Sequence, residues 1–414
     1  MSSLEFFRLQ TREEVLALYP RFSPVSAEEV DLAGALGRVL AAAVPAAEDV
    51  PPFPRASMDG YGVRAADTFG ASVAAPQYLE IKGEVPMGAA PERPVGLAEA
   101  LRVPTGAMLP PGADAVVMLE YTAEHPDGTL EVRRPVAPGE NLLQPGEDVG
   151  KGEVLFPAGS LLRPQDLGLL AALGVTRLTV HRRARVAILS SGDEIVPIGQ
   201  QPAAGQVRDS NASLAAAQVA QWGGIPALKG IIPDDFSALK NALAGALEEA
   251  DLILISGGSS VGARDLTLEA IKALPGAEVL VHGVALRPGK PTILAAIGPQ
   301  PLPLLGLPGH PASAAVVMEV LGKPLLARLA GLTASPAWGG ELIALLSRNL
   351  AGASGREDYV RVRLRREDKT LWADPVLGPS GLLSPLVKSD GLVMIPLGVE
   401  GLVRGEAVTV RLFS

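Results

Sequence analysis

Asp251-Leu-Ile-Leu-Ile-Ser256 holds an unbroken apolar run, residues 252–255, and leads into Gly257-Gly-Ser-Ser-Val-Gly-Ala-Arg-Asp265, a turn rich in glycine and serine. An apolar run this short, without polar alternation, reads as a strand covered on both faces, and the glycines stop it abruptly. The same rhythm repeats outward from it. Strand RVAILSSG (185–192) leads into a loop, a helix spans about 212–222, IPALKGIIPDD supplies another strand, and a helix covers about 236–249. Beyond the run lie strands VLVHGVAL (279–286) and TILAAI (292–297), then a long helix from about Pro311 to Leu329. Short apolar strands alternating with helices predict an α/β domain over 183–331, its sheet mainly parallel and covered on both faces.

Other rhythms surround this core. Residues 11–20 and 26–44 read as helices, the second with Ser26 as cap and Glu28 and Glu29 near its positive end. Val50-Pro-Pro-Phe-Pro-Arg55 ends helical structure and marks a boundary. From 51 to 142, runs such as YLEIKGEV and AVVMLEY between Pro and Gly predict an inserted β-rich domain. A helix from about Pro164 to Leu173, a stop at Gly174 and a strand Arg177–Val180 come next. Residues 1–50 and 143–182 are thus expected to form a linking α+β domain, with the first 25 or so residues packed on the α/β domain. After 332, alternating strands such as DYVRVRLRR and EAVTVRLFS predict a small β-barrel or sandwich. The fold class expected is multidomain α/β.

Composition narrows the function. A net charge of −9 argues against a nucleic-acid partner, which needs a broad basic face, but not against an anionic small molecule. The chain has no cysteine, which excludes disulfides, thiolate metal sites and cysteine nucleophiles. Its four histidines (His125, His181, His282, His310) lack zinc-site spacing. MSSLEFFRLQTREEV has no long apolar core, and no apolar stretch approaches the roughly 20 residues of a membrane span. A soluble cytoplasmic protein is expected.

In an open α/β sheet, ligands bind at the carboxyl ends of the strands, and the unusual residues gather there. Ser190-Ser191-Gly192-Asp193-Glu194 sets two carboxylates beside a tight turn: a magnesium or general-base site, or a solvated turn. Ser256 to Asp265 reads as an oxyanion cradle of free backbone N–H groups, with Asp265 able to hold a metal, or as a plain turn. Arg287-Pro-Gly-Lys290-Pro puts two cations on a stiff turn, suited to a phosphate or tetrahedral oxyanion, or to simple solvation. Gly306-Leu-Pro308-Gly-His310-Pro311 launches the last long helix, and a lone histidine there is as readily a packing or capping residue.

SMDGYGV (57–63), PTGAMLPPGADAVVMLE (104–120), GEDV (146–149), SSGDEIV (190–196), RDSN (208–211), SGGSSVGARD (256–265), RPGKP (287–291) and GLPGHPASA (306–314) together resemble the molybdopterin molybdenumtransferases. These are the MoeA proteins and the related E domain of gephyrin. The motifs run in order over nearly the whole chain, with the C-terminal domain weakly marked. The resemblance implies an elongated four-domain subunit and a homodimer, SMDGY of one subunit facing the α/β domain of the other. It implies insertion of molybdate into adenylylated molybdopterin with Mg²⁺, releasing AMP. It assigns Asp59 and Thr105 to a site across the dimer interface, and Asp148, Glu194 and Asp234 or Asp235 to carboxylates near pterin or metal. Asp265 would serve magnesium and phosphate beside Gly257, Gly258 and Ser259, with Glu194 as the second metal ligand. Arg287 and Lys290 would hold molybdate or phosphate charge, and Pro308 and Pro311 would shape the wall. On this assignment Asp59, Glu194, Asp265 and Lys290 carry the catalysis, while Ser191, Gly192, Asp193 and His310 contact substrate.

Three departures stand out: GGSSVG where a Val before the second Ser is usual, Arg287 where Lys is common, and His310 where Asn is usual. Two other roles fit parts of the chain. A dimeric scaffold of the gephyrin E type would not need the intact set Asp59, Asp148, Glu194 and Asp265. A molybdopterin adenylyltransferase resembles the α/β domain but stands alone, without domains at both ends. Other proteins of cofactor biosynthesis are expected to hand over substrate.

Overall fold

The computed structural model describes residues 9–257, 261–333 and 340–413. The chain divides into two compact units. One comprises Met1–Ala42, Ala158–Arg163 and Arg177–Ser414; the other comprises Ala43–Pro157 and Pro164–Thr176.

The second unit is built on a six-stranded sheet in the order Ala115–Met118, Gly60–Val63, Glu99–Val103, Gln77–Glu84, Thr129–Val132, Thr122–Glu124. Successive residues point to opposite faces, so Val117 and Ala100 enter one core with Tyr61 and Leu130. Val116 and Leu101 enter another with Val85 and Val95. Helix Pro164–Ala172 also belongs here, stopped by Gly174 at φ 70.

In the first unit, helix α1 (Arg12–Leu16) opens on a reciprocal capping box between Thr11 and Glu14, and Pro20 limits the next segment to a 3-10 turn. Residues 26–44 are not helical, contrary to expectation. They form strand β1 (Ala27–Asp31), a 3-10 turn and extended chain, because Gly34 and Gly37 (φ 69) interrupt any helix and β1 finds a partner in β2 (Arg177–His181). Ser26 caps nothing: its carbonyl and hydroxyl accept from the Arg182 N–H and Nε, at 2.9 and 3.0 Å.

The α/β body comes after β2, with β3 (Arg185–Ser191), α2 (Ser210–Gln221), β4 (Ile225–Ile232), α3 (Phe236–Leu247), β5 (Leu252–Gly257), α4 (Val261–Lys272) and β6 (Glu278–His282). Then come β7 (Leu286–Arg287), β8 (Ile293–Ile297), β9 (Leu302–Leu307) and α5 (Pro311–Val317), which runs through a π turn into α6 (Lys323–Leu329). The sheet order is β4-β3-β5-β9-β8-β6. The first four strands are parallel, β8 runs against them, and β6, antiparallel to β8, runs with them. Alternation along β3 sends Val186 and Ile188 to the core shared with α2, α5 and α6, and Ala187 and Leu189 to the core under α3 and α4. The run VLVHGVAL does not stay one strand: Gly283 (φ 103) breaks it, and β7 leaves the sheet. Strand β9 is an element that the sequence pattern does not predict.

The C-terminal strands are β10 (Glu341–Leu346), β11 (Glu357–Glu367), β12 (Thr370–Pro375), β13 (Gly391–Ile395) and β14 (Ala407–Leu412). They pair in the order β11-β12-β10-β14-β13, and β13 returns to β11, closing a five-stranded barrel. Eleven-residue β11 serves both neighbours, its first half pairing β13 and its second half β12. Val362, Val393, Val410 and Leu346 fill the interior. Tyr359 and Leu392 join the α/β core instead, and β7 adds to β11 in parallel.

Candidate active site

Parallel pairing sets the ends of the α/β strands in one row: Ser191 stands opposite Gly257, Ser256 opposite Leu307, and Gly306 opposite Ile293. Because β8 is antiparallel, the Arg287–Pro291 turn before it reaches the same edge. At Gly257 an added Cβ would fall within van der Waals contact of the Ser191 hydroxyl and carbonyl, so only glycine lets these strands approach. Gly192 (φ 146) turns the chain so that the Glu194 carboxylate lies over it.

A cavity of about 520 Å³ opens at this edge, lined among others by Ser191, Glu194, Gly257, His310 and Pro311. The start of α2 supplies another wall. Asp209 caps it by accepting from Ala212 N (3.1 Å), and Asn211 donates through Nδ2 to the Gly309 carbonyl at 2.9 Å. The Ser191 hydroxyl and Asn211 Oδ1 are buried with no partner among the described residues. Unpartnered polar atoms at a cavity wall are what a polar ligand would satisfy.

Beside this cavity the acids gather. The Asp234 N–H donates to Asp193 Oδ1 at 3.2 Å. Burial, then the charges of Asp193 and Glu194, push the Asp234 carboxyl above the usual carboxylate range. Asp235 instead caps α3, accepting from Ala238 N at 2.8 Å. Asp265 is exposed on α4, while Gly258 and Ser259 lie outside the described residues. Among the described residues, no group of three or more His, Asp or Glu is placed to hold a metal by itself.

A second cavity, about 670 Å³, lies between the α/β body and the barrel. Arg287, Lys290, Pro308 and His310 line it from the α/β side. Arg356, Asp358, Arg361 and Ser380 line it from the barrel side, and none of these stands out in the sequence. Arg287 pairs with Asp358 at 3.2 Å. Arg361 is only 9% exposed, donates through Nη2 to the Gly378 carbonyl (2.8 Å), and has Nη1 buried with no partner among the described residues. Burial lowers its pKa, and no carboxylate offsets that cost. A buried cation without a countercharge, facing a cavity, suits an oxyanion. Gly309 and His310 line both cavities. They are tied to the barrel where His310 Nδ1 meets the Ser380 hydroxyl at 2.9 Å and Ala312 N donates to the Ser380 carbonyl at 3.1 Å.

Asp59, Thr105 and Asp148 belong to the other unit. Asp59 Oδ1 accepts from Thr105 N (2.7 Å) and Thr105 Oγ1 (2.9 Å). These bonds, the backbone one foremost, hold its carboxyl below the usual range, helped by Arg102. Asp148 is exposed, and its N–H donates to the Val50 carbonyl at 3.0 Å.

Comparison with known proteins covers the chain from end to end. The family model described as "MoeA N-terminal region (domain I and II)" matches residues 9–174. "Probable molybdopterin binding domain" matches 187–328, and "MoeA C-terminal region (domain IV)" matches 344–413. A molybdopterin molybdenumtransferase of Nostoc sp. is 34% identical over 97% of this chain and 92% of its own length. One of Bacillus subtilis is 33% identical over 93% of this chain and 89% of its own. The crystal structure of a molybdopterin biosynthesis MoeA protein from Pyrococcus horikoshii superposes with a TM-score of 0.84 at 31% identity, covering 98% of this chain and 100% of that one. With these matches and the strand-end and barrel-side cavities they span, the chain belongs to the MoeA family of molybdopterin molybdenumtransferases.

Proposed function

We propose that the chain transfers molybdate into adenylylated molybdopterin with release of AMP, the pterin substrate in the strand-end cavity and molybdate in the basic cavity beside it. The observation that carries this reading is Arg361, a buried cation without a countercharge, in a cavity that shares Gly309 and His310 with the strand-end cavity. Insertion needs an oxyanion and a dithiolene-bearing pterin next to each other, and two cavities with one common wall supply that proximity.

Arg287, Lys290, Arg356 and Arg361 would neutralise the oxyanion, Arg through planar forks and Lys as a point charge. Ser191 and Asn211 offer polar atoms to the pterin or its phosphates. Glu194 and Asp265 would hold Mg²⁺ together with substrate phosphate oxygens, in keeping with the one or two carboxylates this ion takes in such sites. When bound, Mg²⁺ supplies charge neutralisation on the phosphoanhydride. Asp59, Thr105 and Asp148 would act from the second subunit of a homodimer. The protein works as a cytoplasmic enzyme receiving its substrate from other proteins of the same biosynthesis, and no helix of the described residues is long and apolar enough to cross a membrane.

The test adds purified protein to adenylylated molybdopterin and Mg²⁺, with and without molybdate, and monitors AMP. Molybdate-stimulated AMP release with formation of active cofactor is the expected result. AMP release indifferent to molybdate would overturn the reading.

A further inference from the structure

The basic cavity contains one residue whose sign is wrong for an oxyanion site. Asp358 is 5% exposed, sits among the cavity walls, and neutralises Arg287 at 3.2 Å. The two partners differ in freedom: the Arg287 side chain is 54% exposed and that of Asp358 is 8% exposed. Arg287 stands on two-residue β7 and can swing toward a bound anion, whereas Asp358 is fixed in the barrel by the pairing of β11 with β13.

We propose that Asp358 is the proton-exchanging countercharge of this cavity: an incoming oxyanion takes Arg287 from it, and the stranded carboxylate binds a proton from solvent. This inference rests on the oxyanion reading of the cavity. The charges acting on Asp358 are Arg287 from β7 and Arg356 just before its own strand, while Lys290, Arg361 and His310 line the same cavity. Ile395 is its partner across β13 and carries no charge. Glu357 next to it is already engaged by Arg12 and the Tyr359 hydroxyl. Burial already holds the Asp358 carboxyl above the usual range, and Arg287 and Arg356 pull it back down. An anion that occupies those guanidiniums removes that opposing pull, so the carboxyl rises further in the complex. Molybdate and tungstate are fully deprotonated dianions near neutral pH, so a proton taken up on binding must reside on the protein.

Linkage fixes the sign. Below the free-state pKa of Asp358 the acid is protonated with or without anion, and affinity is greatest. Between that value and the pKa in the complex, affinity falls as pH rises, by up to about tenfold per unit.

The test is calorimetric titration of the full-length protein with molybdate, in buffers of different ionisation enthalpy across that pH range. Uptake approaching about one proton per site is expected, with affinity weakening as pH rises. Asp358→Asn should bind molybdate without proton uptake and without the pH slope. Binding without uptake by the native protein overturns the proposal, as does uptake that persists in Asp358→Asn. No molybdate binding at any pH would overturn the oxyanion reading and this proposal with it.

Discussion

The two cavities that meet at Gly309 and His310 are built on opposite plans. The strand-end cavity draws mainly on one sheet, with only Gly381 and Leu383 added from the C-terminal region, and most of its polar lining is placed by strand register and helix starts. The barrel-side cavity draws evenly on two bodies, and its charged walls are cations with a single carboxylate, Asp358, carried by residues far apart in sequence. Register is a local property of paired backbone, so the first cavity tolerates side-chain change as long as the glycines remain. Charge without countercharge is a property of the assembled pair of bodies, so the second is sensitive to single side chains.

Substitutions should expose this difference. The largest effect is expected for Arg361→Met: molybdate-dependent AMP release falls about 10²–10³-fold, about 3–4 kcal/mol. The melting temperature should hold or rise, since an unpaired buried cation is replaced by an apolar group of similar volume. A fall in melting temperature with activity retained would make Arg361 a brace for Gly378. Next comes Gly257→Ala, which forces β5 from β3 and should cost about 1–3 kcal/mol in a denaturant titration. Wild-type stability there would break the claim that strand approach shapes the first cavity. Glu194→Gln should lower turnover about tenfold, about 1.4 kcal/mol, while leaving molybdate affinity untouched. A parallel loss of molybdate affinity would merge the two cavities into one functional site.

The smallest effect belongs to Asp234→Asn. A carboxyl raised in the folded state is stabilising only in acid: as pH climbs from the unfolded pKa through the raised folded one, that contribution is lost and a penalty remains. Asp234 retains considerable solvent contact, so screening reduces the penalty to roughly a few tenths of a kcal/mol. Asp234→Asn should therefore be slightly more stable than wild type at neutral pH and no different in acid. Equal stability throughout would mean the acids of this edge do not interact through Asp234.

Legibility in the amino-acid sequence divides along the same line. The strand-end cavity can be read from residues because glycine-rich turns directly after apolar strands state where the chain must stop and turn. Arg361 cannot, because in the alternation of DYVRVRLRR an arginine reads as solvent-facing, and only docking of the barrel buries it. Strand β9 is hidden because its flanking prolines disguise a central strand as a turn. Residues 26–44 mislead because Leu32, Leu36, Val39 and Leu40 satisfy helical spacing, while the deciding contact, Val30 opposite Leu178, lies far along the chain. Only geometry distinguishes the two adjacent aspartates: Asp235 caps a helix, and Asp234 feels its neighbours' charge.

The contact between His310 and Ser380 spans 70 residues of chain. A polypeptide leaving the ribosome amino end first therefore presents Glu194, Gly257 and His310 well before Arg361 and Ser380 have been made. Its strand-end pocket can form around the α/β core, short only of Gly381 and Leu383, while the anion pocket still lacks one whole side. Closing that long loop is the entropically slow step, so oxyanion capture should be the last property the nascent enzyme acquires.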